Sequence, residues 1–162
     1  MTDYTIRALN ISNKKLITLP DDISKYTKLK ILYVSCCNLT YINNLPLTLE
    51  HLSTSGNNIT SLDNLPLNLL ILYCRHNQLT TLDNLPPKLT VLNCENNNIY
   101  SLDNLPLLIT LWCDKNNITT LDNLPQTLKT LSINNLIHHP KNFKIINYNT
   151  SHYIYTLQYI TQ

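Results

Sequence analysis

The sequence predicts a parallel β-solenoid, a stack of short coils sharing one core, and three observations carry that prediction. The first is a period. The segments LPLTLEHLSTSGNNITSLDN (45–64), LPLNLLILYCRHNQLTTLDN (65–84), LPPKLTVLNCENNNIYSLDN (85–104) and LPLLITLWCDKNNITTLDN (105–123) run on without a gap. Their leucines Leu49, Leu69 and Leu89 are twenty residues apart, and Leu108 follows nineteen later. Self-similarity at a fixed period in this range marks a repeat architecture. The second observation is an alternating step, L-x-C or L-x-L, which sets two apolar side chains on one face of a short strand. The third is an asparagine, Asn57, Asn77, Asn97 or Asn116, at a fixed place after that step.

Residues 1–19 read as a degenerate first coil, in which Ile6, Leu9, Ile11 and Leu16 keep the spacing and Lys14 replaces the asparagine. A terminal repeat is expected to be atypical because one face meets solvent. The unit from Leu19 to Asn44 is longer, with residues 21–27 inserted after Leu-Pro, enough for one helical turn on the convex side. The regular coils run from Leu45 to Asn123, and a last copy from Leu124 loses register at Leu136. The chain is therefore expected to be one domain, 1–162, with N-terminal capping and longer repeats (1–44), regular repeats (45–136) and a C-terminal cap (137–162). In the cap, residues 144–147 and 152–160 are rich in Ile and Tyr, and residues 147–151 carry turn chemistry. A capping strand or hairpin is expected there, with a short helix over 153–160 as the alternative.

Parity assigns the faces of each strand. The inward columns read Leu32, Leu52, Leu72, Leu92, Leu111, Leu131 and Val34, Thr54, Cys74, Cys94, Cys113, Ile133. No coil buries such residues alone, so neighbours stack at ~4.8 Å and share a core. The asparagine column supplies amides for backbone groups left open where the chain exits the strand. In the return half, Leu62-Asp63-Asn64-Leu65-Pro66 and its equivalents, proline fixes φ and biases the preceding residue towards extended backbone. A unit of this length has no room for a return helix of ~11 residues, so extended or single-turn 3₁₀ segments are expected. Asp63, Asp83, Asp103 and Asp122 recur there. Each is expected to fix its turn by an Asx-type hydrogen bond. Repulsion between like charges ~5 Å apart is modest in water, so the ladder requires no calcium.

The unit L-x-x-L-x-C-x-x-N-x-L-x-x-L resembles the leucine-rich repeat over roughly residues 6–136. Cys37 takes the asparagine place in the earlier coil, as that repeat permits. The L-P-x-x-L spacing is most similar to the short repeats of bacterial effector proteins and of large DNA viruses of amoebae. The resemblance implies a solenoid of the α/β horseshoe family, mostly β, with a parallel sheet on its concave face and few or no full helices.

Several function classes are set aside by composition. A net charge of +2 and a pI near 8.2 are too balanced to imply a nucleic-acid partner. No apolar run approaches the ~20 residues of a membrane span, and the first thirty residues lack the apolar stretch of a secretory signal. A cytoplasmic protein is expected, in the host cytoplasm if it is viral. The five cysteines, 36, 37, 74, 94 and 113, are then free thiols of a reducing compartment. Cys74, Cys94 and Cys113 stack at ~4.8 Å without the converging Cβ vectors a disulfide needs, and read as core packing. No C-x-x-C pair suggests zinc. His138, His139 and His152 would ligate a metal only if the tail folds them together, and adjacent histidines on extended chain face opposite ways. The five N-x-[ST] sequons, at Asn10, Asn38, Asn58, Asn117 and Asn149, are expected to stay unmodified in that compartment. With a single glycine there is no glycine-rich phosphate loop, and no nucleophile–base motif appears. Neither enzyme activity nor a cofactor is expected.

The outward strand face is left as the candidate site. Its central column reads Tyr33, Ser53, Tyr73, Asn93, Trp112, Ser132; the flanks read Ile31, His51, Ile71, Val91, Thr110, Thr130 and Ser35, Ser55, Arg75, Glu95, Asp114, Asn134. Solvent-facing Tyr and Trp are enriched at binding hot spots. The candidate partner-binding residues are Tyr33, His51, Tyr73, Arg75, Asn93, Glu95, Trp112 and Asp114. Tyr73 and Trp112 would wall a shallow slot floored by Asn93, with Arg75, Glu95 and Asp114 as a mixed-charge rim. The expected function is a non-enzymatic module that binds a protein or peptide on the concave sheet. The alternative is a structural protein that self-associates through its Tyr/Ile-rich C-terminal segment, so the chain is expected to be a monomer or weak homodimer.

Overall fold

Each coil spends only three residues in a strand, because an x-Leu-x step suffices to seat one leucine in the core and hydrogen-bond to both neighbours. The computed structural model describes residues 3–134, 140–149 and 153–160. Seven such strands are β1 (Ala8–Asn10), β2 (Ile31–Tyr33), β3 (His51–Ser53), β4 (Ile71–Tyr73), β5 (Val91–Asn93), β6 (Thr110–Trp112) and β7 (Thr130–Ser132). All pair in parallel and in register, leucine on leucine: Leu9 with Leu32, then Leu52, Leu72, Leu92, Leu111 and Leu131. From Leu32 to Leu131 this column is fully buried, as is the Val34-to-Cys113 column beside it. On the return side Ile59, Leu79 and Ile99, then Leu62, Leu82, Leu102 and Leu121, close the core.

The convex segments contain no full helix among the described residues. The insertion in the second coil forms a 3₁₀ turn, Ile23–Lys25, that buries Ile23 and Tyr26. Elsewhere the Leu-Pro corner makes a tight turn, with Leu49, Leu69, Leu89 and Leu128 each donating to the proline carbonyl three residues back. In the nineteen-residue coil Leu108 donates instead to Pro106, two residues back, at 2.7 Å. The shorter turn absorbs the missing residue, and the strand register survives.

Two columns adopt left-handed backbone. After each strand Asn13, Cys36, Gly56, His76, Asn96 and Lys115 have φ between 51° and 68°. Before four of the Leu-Pro corners, Asn44, Asn64, Asn84 and Asn104 have φ between 53° and 62°. Asparagine tolerates this region better than most residues, which explains its recurrence before Leu-Pro. The single glycine shares the first of these places, where a Cβ on Gly56 would sit 3.1 Å from the Cys36 Sγ and that side chain would have to shift by a few tenths of an ångström.

The C-terminal segment is a hairpin and not the alternative helix. β8 (Phe143–Asn149) and β9 (Ile154–Tyr159) pair antiparallel, with a register shift between Ile145 and Asn147. β9 also pairs antiparallel with β7, Leu131 opposite Tyr155, giving a nine-stranded sheet ordered β1-β2-β3-β4-β5-β6-β7-β9-β8. The reason is visible in period two: Tyr155 and Leu157 are buried while Thr156 and Gln158 are exposed, and β7 offers an open edge that must be paired or covered. With Phe143, these side chains close the end of the core. The predicted turn over 147–151 begins too early, since Asn147–Asn149 belong to β8; Thr150 and Ser151 lie outside the described residues. So do His138, His139 and His152.

Candidate functional site

The coils are joined by amides whose geometry repeats four times. Asn77 Nδ2 donates to the carbonyls of Cys74 (3.0 Å) in its own coil and Thr54 (3.1 Å) in the coil before, while its Oδ1 accepts from the Ile59 N–H (3.0 Å). Asn57, Asn97 and Asn116 do the same towards Leu39, Leu79 and Ile99. Each amide therefore reaches three backbone groups; the carbonyls of Thr54, Cys74 and Cys94 each accept from two successive amides, so the N–H that an amide accepts from is the group left unpaired without it.

The thiol column contributes similarly. Cys74, Cys94 and Cys113 donate their S–H to the carbonyls of Asn93, Trp112 and Ser132 in the following coil, at 3.3–3.4 Å. All five cysteines are free, and Cys36 alone of them is exposed. Burial pushes the Cys74 thiol up to about 12 and raises Cys94 and Cys113 well above the usual range.

Two of the four aspartates on the convex edge act differently from the expected Asx turn. Asp63 and Asp103 accept from the hydroxyls of Ser61 (2.5 Å) and Ser101 (2.6 Å), two residues earlier. They also accept from the amides of Asn84 and Asn123 in the next coil. These bonds hold both carboxyls below their usual range. An inter-coil bond needs a stacked neighbour, which single-coil turn chemistry does not reveal.

On the concave face the structure opens a depression of about 400 Å³, lined by Ser35, Cys36, Ser53, Ser55, Tyr73, Arg75, Asn93 and Trp112. Four of the eight candidate residues line it: Tyr73, Arg75, Asn93 and Trp112. The Asn93–Trp112 register pair puts these two side by side on the sheet. Arg75 is exposed, and its guanidinium forms no ion pair among the described residues. The other four candidates lie around it. His51 packs edge-on between Tyr33 (5.5 Å) and Tyr73 (5.3 Å), so its ring props the Tyr73 wall. Burial lowers its pKa, favouring the neutral ring, and its Nε2 is buried without a partner. Glu95 accepts from the Asn93 amide (2.9 Å), and Asn93 Oδ1 accepts from the Glu95 N–H (3.1 Å), which locks the floor residue in place.

Asp114 departs from the expected rim. It is only 9% exposed, its Oδ2 accepts from the Ser132 hydroxyl, and its Oδ1 is buried with no hydrogen-bond partner. Because β7 and the hairpin continue beyond its coil, a side chain read as rim becomes interior. Burial, and next the neighbouring Glu95, raise its pKa.

Four lining residues, Ser35, Cys36, Ser53 and Ser55, fall outside the eight candidates. Ser35, Ser53 and Ser55 were legible in the outward columns, and their small volume creates the depression between larger neighbours. Cys36 was not, because a left-handed residue breaks strand alternation. A second conspicuous groove is convex, beside Asp83, Tyr100 and Asp103. Among the described residues no cluster of three or more His, Cys, Asp or Glu has the arrangement of a metal site, and no helix is long and apolar enough to cross a membrane.

No sequence-family profile and no curated relative matches the chain. Solved structures do. YopM from Yersinia enterocolitica WA-314 superposes with a TM-score of 0.66 at 34% identity, over 78% of this chain and 29% of YopM. A Shigella effector leucine-rich repeat domain superposes with a TM-score of 0.69 at 30% identity, over 88% of this chain and 64% of that domain. The chain thus spans under a third of the first and under two thirds of the second. The same coil, stacked in the same way on both, places the sequence: the chain is a leucine-rich repeat protein similar to those of bacterial effectors.

Proposed function

We propose that this chain is a non-enzymatic interaction module that holds a peptide segment of a protein partner in the concave depression. The observation that carries the reading is the depression itself, walled by Tyr73 and Trp112, floored by Asn93 and small serines, and edged by the exposed Arg75. Large aromatic anchors ringed by polar groups are the usual anatomy of a hot spot. The leucine-rich repeat likeness to effector proteins supports a protein partner. An exposed thiol at the edge of the site, Cys36, suits a reducing compartment such as a cytoplasm.

The test is capture from a lysate of the native host by wild-type chain and by Tyr73→Ala combined with Trp112→Ala. The double variant is expected to lose its partner, since truncating one such anchor costs ~2 kcal/mol or more, while its thermal midpoint changes little. Normal capture by the double variant, with loss in the convex variant Asp83→Lys combined with Asp103→Lys, refutes the concave reading.

Self-association is a second reading, favoured by one observation: β8 is a seven-residue outer strand with exposed Ile146 and Tyr148. Such an edge is a template for another strand. Light scattering across a concentration series separates the two readings, since the first expects a monomer.

A further inference from the structure

Of the residues that line the concave depression, only Arg75 has a charged side chain; its neighbours there are serines, Cys36, Asn93 and two aromatics. Arg75 is exposed, and its guanidinium joins neither of the ion pairs among the described residues, Lys30–Glu50 and Lys141–Asp122. Backbone bonds fix what flanks it. The Gly56 N–H donates to the Arg75 carbonyl and the His76 N–H to the Glu95 carbonyl. Ser55 and Glu95 therefore hold the equivalent places on the coils to either side, ~4.8 Å away along the sheet. On one side the Glu95 carboxylate is already bonded to the Asn93 amide, at 2.9 Å. On the other side lie hydroxyls. Ser35 shares a 2.9 Å bond with Ser53, while the Ser55 hydroxyl has no hydrogen-bond partner among the described residues.

An accessible guanidinium beside an open hydroxyl is a receptor for an oxyanion. Its donors stand in a fixed fork that matches the two oxygens of a carboxylate, and a serine one coil away adds a further donor. Charge balance selects a carboxylate over a phosphate. One cation, with Glu95 on its far side, offsets a single negative charge and leaves most of a phosphate dianion uncompensated. Tyr73 stands two residues before Arg75, on the same face and ~7 Å along the strand. An aromatic wall at that distance displaces water from the pair, which strengthens it.

We propose that Arg75, with the Ser55 hydroxyl, seats a carboxylate of the peptide partner, carried by an acidic side chain or by the end of its chain. The proposal rests on the reading of the depression as a peptide site and names the charge that peptide must carry.

The experiment probes an array of random octapeptides with the full chain, then titrates the chain with acetyl-Leu-Glu-Leu-amide and its glutamine isostere. Trp112, the single tryptophan, reports by fluorescence. The expected result is enrichment of Asp and Glu among captured peptides and a saturable change in emission with the glutamate peptide. The glutamine form should bind about tenfold more weakly, the loss of one charge-assisted hydrogen bond. Arg75→Gln should bind the two forms equally, and its unchanged thermal midpoint would show that folding is intact. Acetyl-Leu-Gly-Leu with a free carboxylate tests the chain end; saturation by it, lost in Arg75→Gln, upholds the seat and assigns the carboxylate to that source. Capture that depends on Tyr73 and Trp112 but shows no preference for a carboxylate overturns this inference and leaves the peptide site standing. A carboxylate preference that survives Arg75→Gln overturns it as well, as does tighter binding of acetyl-Leu-phosphoserine-Leu-amide than of the glutamate peptide. An array with no captured peptide overturns both readings.

Discussion

Replacing Asn77 by alanine isolates the contribution of the amide ladder. The side chain accepts from Ile59 and shares its two amide hydrogens among the carbonyls of Cys74, Thr54 and, more weakly at 3.3 Å, Arg75. Ile59 is fully buried, so its N–H has no water to turn to. At a net ~1 kcal/mol per bond the loss is about 3 kcal/mol, and the unpaired N–H pushes it upwards. For a chain of this size that lowers the thermal midpoint by roughly 6–12 °C. Asn98, one place further from the ladder than Asn97, is exposed, and its own N–H bond to the Leu79 carbonyl survives mutation. Asn98→Ala should therefore stay within about 0.5 kcal/mol of wild type. Urea unfolding measures both values, and hydrogen exchange locates the damage, since the Ile59 amide should lose protection selectively. Equal destabilisation at the two positions, or an Ile59 amide that stays protected in Asn77→Ala, would falsify the assignment of the ladder.

Two further outcomes are expected of the buried titratable groups. In the folded protein only Cys36 should react quickly with a thiol reagent, because it is exposed while Cys74, Cys94 and Cys113 are buried and held as thiols; unfolding without reductant should release all five, and a missing pair would contradict the stacked column. Asp114 has a folded pKa above its unfolded value, with Glu95 and Tyr155 among the groups that feel its charge. A raised carboxyl contributes stability that is complete below the unfolded pKa, near 3.8, and is lost as pH rises through the folded value. Asp114→Asn should consequently raise the thermal midpoint at neutral pH and converge on wild type in acid. A midpoint lower than wild type at neutral pH would show that the ionised carboxylate is stabilising.

The sequence by itself determined the repeat and with it the fold. A period of nineteen or twenty, one strand step per period and an asparagine after it leave little choice. Leu72 and Cys74 must face a shared core, and Asn77 must serve the backbone leaving the strand, because each coil is too small to bury anything alone. The candidate face was legible by the same parity: Tyr73, Arg75, Asn93 and Trp112 fall on one side of the sheet and line one depression. The tertiary structure decided the features that depend on neighbours. Asp63 and Asp103 bond to an asparagine about twenty residues on, in the next coil, and Cys36 enters the concave site through a left-handed backbone that parity does not describe. The strand form of residues 154–159 was settled by the open edge of β7. Asp114 differs most from its sequence reading. Its place on the face is set by its position after Trp112, but its burial comes from the coil and hairpin stacked beyond it. In a solenoid the next coil in the stack decides whether a side chain is exposed or buried, and strand parity carries no information about that coil.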